Sequence, residues 1–161
     1  MSHGKLDEDL FTKSISCLPL VSIDLLVQND NGEILLGFRK NPPARESWFV
    51  PGGRVRRMES FHDAFHRITN SELGFGYALQ DARFAGAFEH MYDDSAYSEV
   101  VGSHYVSLAM YLDGASLEIS DMPKVQHTQY CWLSLDEIER DESIHQRTKE
   151  FFQTEMGIRP R

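Results

Sequence analysis

A chain of 161 residues, 41% of them hydrophobic, is the size of one domain and long enough to bury its own core. A formal net charge of −9, with no basic surface interleaved with stacking aromatics, argues against a general nucleic-acid or membrane-surface binder. Only two cysteines occur, Cys17 and Cys131, without metal-type spacing, and no apolar run is long enough to span a membrane; this pattern fits a reduced, cytoplasmic protein.

Residues 1–17 are polar and acidic, with Leu6, Leu10 and Phe11 apolar, and read as a short helix or an arm. Terminal segments of this kind are ordered only when docked. Leu18–Val27 is a strand-like apolar run with one acid, Asp24, inside it. Such an acid either orients a site residue or marks an edge or solvent-facing position. Asn29-Asp30-Asn31-Gly32 reads as a hairpin turn and Glu33–Arg39 as the return strand. Asn41-Pro42-Pro43 breaks the pattern, Trp48-Phe49-Val50 makes a short strand, and Pro51-Gly52-Gly53 lets the backbone come close to a metal or phosphate.

The charge is uneven. Arg39, Lys40, Arg45, Arg54, Arg56 and Arg57 stand against Glu46 alone between positions 39 and 57. A basic island in an acidic chain is either a solvated loop or a site for a local anion such as a diphosphate.

From Gly53 to Phe75 the chain reads as a glycine turn, a basic loop, one amphipathic helix and a glycine stop. Phe61, Ala64, Phe65 and Ile68 mark the expected buried stripe, Ser60 with Asp63 the cap, and Gly74 the residue past the end. At about 100° per residue, Glu72 falls on that same stripe. A carboxylate facing a core is costly unless paired, so Glu72 reads either as an internal ion pair, with Arg67 the nearest candidate, or as a metal ligand at the mouth of the core.

Arg83–Met91 and His104–Leu112 read as two further strands, joined by a polar loop, Tyr92–Gly102, with Asp93, Asp94, Tyr97 and Glu99. Gly114–Val125 is another loop, ending in Gln126-His127; Tyr130–Leu133 is a last strand. Ser134 and Glu137 signal a second capping box, and Ile144–Met156 an amphipathic C-terminal helix closed by Gly157. The element order predicts a single α+β domain over residues 1–161, a mixed β-sheet sandwiched between α-helices.

The central spacing resembles the Nudix box, G-x5-E-x7-R-E-U-x-E-E-x-G-U with U aliphatic. Gly53, Glu59, Arg67, Glu72 and Gly74 fall on its fixed positions, whereas Ile68 and Ser71 stand where two glutamates are usual. This depleted helix is similar to that of the GDP-mannose mannosyl hydrolase branch, and the resemblance extends over nearly the whole chain, with a divergent N-terminus. It implies the Nudix fold and one Mg²⁺, replaceable by Mn²⁺, held by the Gly52 carbonyl, Glu72 and Gln126. By the same resemblance Arg39 and Arg54 grip the diphosphate, Tyr105 hydrogen-bonds the leaving phosphate and His127 is the general base. His90 and Asp24 count among the substrate-facing residues, and Glu59 and Arg67 brace the loop. The arm would cross to the partner subunit of a homodimer, bringing Leu6 and Phe11 to the guanine; simple packing of the arm on its own body is the other reading.

The expected reaction is hydrolysis of GDP-mannose, and of GDP-glucose as well, to GDP and free sugar. Water attacks the anomeric carbon with inversion while one cation stabilises the departing GDP. The rival is an ordinary Nudix pyrophosphatase attacking phosphorus; a silent nucleotide-sugar sensor is the reading from another class.

Overall fold

The computed structural model describes residues 7–41, 45–96, 98 and 101–160. Of the residues singled out in the sequence, Leu6, Pro42, Pro43, Tyr97 and Glu99 lie outside the described residues. Seven strands form one mixed sheet: β1 (Leu20–Gln28), β2 (Ile34–Arg39), β3 (Trp48–Phe49), β4 (Gly52–Arg54), β5 (Ala82–Tyr92), β6 (Ser103–Asp113) and β7 (His127–Leu133). The main path runs β3-β2-β1-β6-β5, with β4 on β1 and β7 on β2. β1 is the axis. It pairs in parallel with β6 from Leu20↔Tyr105 to Gln28↔Asp113 and antiparallel with β4 at Asp24↔Gly52.

Because side chains alternate along a strand, β1 serves both faces. Ile23, Leu25 and Val27 meet Ala64, Phe65 and Ile68 of α2 (Phe61–Leu73) on one side. On the other, Leu26 joins Ile34 and Leu36 beneath Ile138 of α3 (Leu135–Arg140) and Phe151, just past α4 (Gln146–Glu150). The helices therefore sandwich the sheet, as expected. Burying Phe65 or Ile68 fully contributes roughly 2 kcal/mol each, which ties α2, and the loop before it, to the sheet.

The local signals hold. Ser60 Oγ accepts from Asp63 N at 3.1 Å, Gly74 ends α2 at φ 80°, and Ser134 with Glu137 forms the capping box of α3. In the hairpin turn Asn29 Oδ1 accepts from the amides of Asn31 and Glu33. Residues Glu8–Ile15 form a helix, α1, docked through buried Phe11 and Ile15.

Four expectations are corrected. Phe61 is 52% exposed, because it is the first residue of α2 and overhangs the sheet that Ala64, Phe65 and Ile68 cover. The C-terminal helix is only Gln146–Glu150 rather than Ile144–Met156. The chain turns after it so that Ile158 can bridge Ala87, and Arg159 donates to the carbonyls of Phe151 and Gln153. Asp24 is at neither an edge nor a solvent face: it is 7% exposed in the central strand. The last strand begins at His127 rather than Tyr130, because His127 pairs with Arg39 of β2.

Candidate active site

β4 and its flanking residues carry the basic loop onto the sheet beside β1, and α2 follows after one capped turn. A cleft of about 450 Å³ opens there, lined by Asp24, Arg39, Gly52, Arg54, His90, Tyr105 and Gln126 among others. Seven residues from five strands and one turn are thus gathered in one hollow. Sequence reasoning missed Ser22, Phe49 and Tyr92 in the same lining. Ser22 and Tyr92 lie at strand positions whose alternation with Asp24 and His90 gave the available signal.

Asp24 anchors the floor. Its Oδ2 accepts from Ser22 Oγ at 2.9 Å and from Ser107 Oγ, while Oδ1 lies so close to Gly52 that a Cβ there would collide with it. Burial raises the Asp24 pKa; the two serines and Arg39 oppose that rise. Arg39 lies over the Phe49 ring, 5.6 Å from its centroid, and its buried Nε has no hydrogen-bond partner among the described residues. Arg54 lies 4.2 Å over the ring of Phe11. Phe11, expected to reach a guanine, is thus packed inside its own chain against a predicted phosphate-gripping arginine. Tyr105 stands edge-on to Tyr92 at 6.0 Å.

Behind the cleft wall lie Glu72 and His127. Glu72 is 7% exposed, and desolvation raises its pKa to about 7 against the opposing pull of Arg39. The suggested partner is engaged elsewhere: Arg67 donates to both oxygens of Glu59, at 2.6 and 2.8 Å, and to the Arg54 carbonyl. That triangle braces the loop before α2, as expected of Glu59 and Arg67. Glu72 Oε2 consequently has no hydrogen-bond partner among the described residues.

His127, expected in a loop, is fully enclosed at 0% exposure. Its ring lies on Gly37 of β2, where a Cβ would come within 2.5 Å of its Cγ and Cδ2. Nδ1 is 3.5 Å from Glu72 Oε2 and 3.4 Å from the Tyr130 hydroxyl; Nε2 is buried without a partner among the described residues. Burial, with Arg39 and Lys40, lowers the His127 pKa to about 3, so the imidazole is neutral and its contact with Glu72 is not an ion pair. Next to it, the Gln126 amide donates to the Gly52 carbonyl at 3.4 Å.

These donors fit a hard divalent cation. A buried carboxylate oxygen lacking a partner, a strand carbonyl and a side-chain amide, whose oxygen a rotation would present, are the oxygen types such ions take. The multi-carboxylate alternative is not assembled: among the described residues no three of His, Cys, Asp and Glu are grouped to hold a metal. Ile68 is core, 1% exposed and packed under Gly53, and Ser71 bonds its own helix through the Ile68 carbonyl.

A seven-stranded mixed sheet sandwiched by helices, with this glycine–glutamate–arginine brace, is the architecture of a Nudix hydrolase. The chain belongs to that family, whose NUDIX domain model matches residues 18–154. It is 38% identical over 127 residues to the low-salt glycan biosynthesis protein Agl8 of Haloferax volcanii, covering 78% of this chain and 77% of that one. Among solved structures it resembles a MutT protein from Methanosarcina mazei Go1 (TM-score 0.62, 26% identity), covering 83% of this chain and 91% of that one. It also resembles a MutT NUDIX hydrolase from Burkholderia pseudomallei (TM-score 0.62, 25% identity), over 83% and 95% of the two chains. Nudix hydrolases act on small nucleotide-type substrates and generally use divalent metals such as Mg²⁺. Among the described residues no helix is long and apolar enough to cross a membrane.

Proposed function

We propose that this Nudix hydrolase cleaves GDP-mannose, and GDP-glucose as a second substrate, to GDP and the free sugar by attack of water on the anomeric carbon with inversion. One observation carries the reading: of positions 68, 71 and 72 on α2 only 72 bears a carboxylate, position 68 being a core isoleucine and position 71 a serine bonded to its own helix. Several carboxylates are what gathers several cations for attack on phosphorus. The relation to a glycan biosynthesis protein supports a nucleotide-sugar substrate.

Glu72, the Gly52 carbonyl and Gln126 would hold one Mg²⁺, which supplies Lewis-acid stabilisation of charge on the leaving diphosphate. Arg39 and Arg54 bind the phosphate oxygens with charge-assisted hydrogen bonds, prepositioned by Phe49 and Phe11 beneath their guanidinium planes. Tyr105 donates to a leaving-group oxygen. Asp24, held by Ser22 and Ser107, turns Oδ1 toward the cleft to accept from a sugar hydroxyl, and His90 orients the sugar from the opposite wall. His127 is the base, taking the proton from the attacking water on Nε2. The working unit is a homodimer.

A second reading, pyrophosphatase chemistry at phosphorus, draws on Asp24, whose charge is felt at Glu72 and raises its pKa. Hydrolysis of GDP-mannose in ¹⁸O-water with Mg²⁺ separates the two. Label on free mannose, beside unlabelled GDP, is the expected result. GMP and mannose 1-phosphate with label on a phosphate would overturn it.

A further inference from the structure

Tyr130 has no role in the chemistry above, yet its hydroxyl is the point where three parts of the site meet. It sits in β7 opposite Gly37, nearly buried, with its ring 5.4 Å from that of His127. Oη lies 2.7 Å from the Pro123 carbonyl, 3.4 Å from the Glu72 carbonyl at the end of α2 and 3.4 Å from His127 Nδ1. Burial and the Glu72 charge raise its pKa, so the group stays a phenol with one proton.

A phenol donates once and accepts through its lone pairs. The short contact to the Pro123 carbonyl claims the proton. Toward His127 the oxygen can then act only as acceptor, so Nδ1 carries the imidazole hydrogen and Nε2 the lone pair. If instead Nδ1 were bare, Tyr130 would have to abandon the Pro123 carbonyl to satisfy it.

We infer that Tyr130 is a positioning residue that fixes the Nδ1–H tautomer of His127 and ties the Pro123–His127 turn, with Gln126 on it, to the Glu72 end of α2. The inference rests on His127 being the base, but only in its kinetic consequence; the tautomer is a property of the protein without substrate.

The test is Tyr130→Phe, which keeps the ring and removes the oxygen. With ¹⁵N-histidine in the Mg²⁺-loaded protein, and the His127 signals assigned by their loss in His127→Gln, wild type should show a protonated Nδ1 and a bare Nε2. The phenylalanine variant should show both tautomers. Its kcat should fall roughly 10–100-fold, the usual cost of removing an orienting outer partner, with KM changed far less and the melting temperature near wild type. Wild type with hydrogen on Nε2, or a variant with an unchanged nitrogen signature, overturns the inference. A shifted tautomer with unchanged kcat upholds Tyr130's control of the ring and overturns His127 as the base.

Discussion

The molecule buries two histidine–glutamate pairs, one on each face of the sheet's active end, and they have opposite fates. In one, His90 Nε2 lies 3.8 Å from Glu150 Oε2; in the other, His127 Nδ1 lies 3.5 Å from Glu72 Oε2. Glu150 is claimed by Arg147, which donates to both of its oxygens at 2.9 and 3.0 Å. Glu72 receives no such clamp, because Arg67 is spent on Glu59. His90 is enclosed by the rings of Phe49, Phe88, Phe151 and Tyr92, whereas His127 rests on a bare glycine. Burial lowers the pKa of both histidines to about 3, so the imidazoles alone do not distinguish the pairs. The distinction is whether the carboxylate has a committed arginine. The carboxylate that lacks one is the group proposed above as a ligand of the cation.

Several experiments would break or sharpen this contrast. The largest effect is expected for His127→Ala, which should lower kcat by roughly two to four powers of ten; near-wild-type turnover would remove the base from the mechanism. Glu72→Gln should cost activity roughly a hundredfold or more, above the 10–100-fold typical of outer partners at metal sites, and should abolish Mg²⁺-dependent thermal stabilisation. His90→Phe, by contrast, removes only the hydrogen bond proposed to the sugar and should lower kcat/KM by about tenfold or less.

Stability against pH gives a subtler signature. Glu72 in the native metal-free protein titrates at about 7 against 4.5 for the free group. The native state therefore binds more protons than the unfolded chain in that window, and stability falls as pH rises from about 4.5 through about 7. The loss is on the order of 1–3 kcal/mol. Glu72→Gln should flatten that fall, and urea midpoints across the range read it directly. On the acid side, both histidines oppose folding as pH drops from 6.5 toward about 3, since only the unfolded chain takes up their protons. The smallest effect belongs to Glu150→Gln, at about 1 kcal/mol of stability because Arg147 is partly solvated, with turnover unchanged. A catalytic loss there would erase the difference between the pairs.

Much of this was legible before any coordinates. The period of Ala64, Phe65 and Ile68, the Ser60 and Ser134 caps and the Gly74 stop are local signals, and the structure reproduces each. The cleft gathers most of the residues that the resemblance implied. The errors lie where partners are distant in sequence. Helical spacing offered Glu72 as the partner of Arg67, whereas its partner is Glu59, eight positions away and outside the helix, a brace that only the resemblance implied. The burial of Asp24 depends on Ser107, which joins it only through the parallel β1–β6 register. The enclosure of His127 depends on Gly37 across β2, and a lone histidine before a strand carries no mark of that neighbour. The short C-terminal helix reflects Ile158 returning to β5, again a long-range pairing.

Gly37 is not part of the cleft lining, yet its missing side chain is what makes room for the His127 ring. In a saturation screen scored by growth or turnover, position 37 should therefore rank beside the reacting groups, intolerant even of alanine. A screen scored by abundance should rank it lower, since the ring could swing away and leave a folded, inactive protein. A glycine can thus appear in genetic data as a catalytic position while contributing no atom to the reaction.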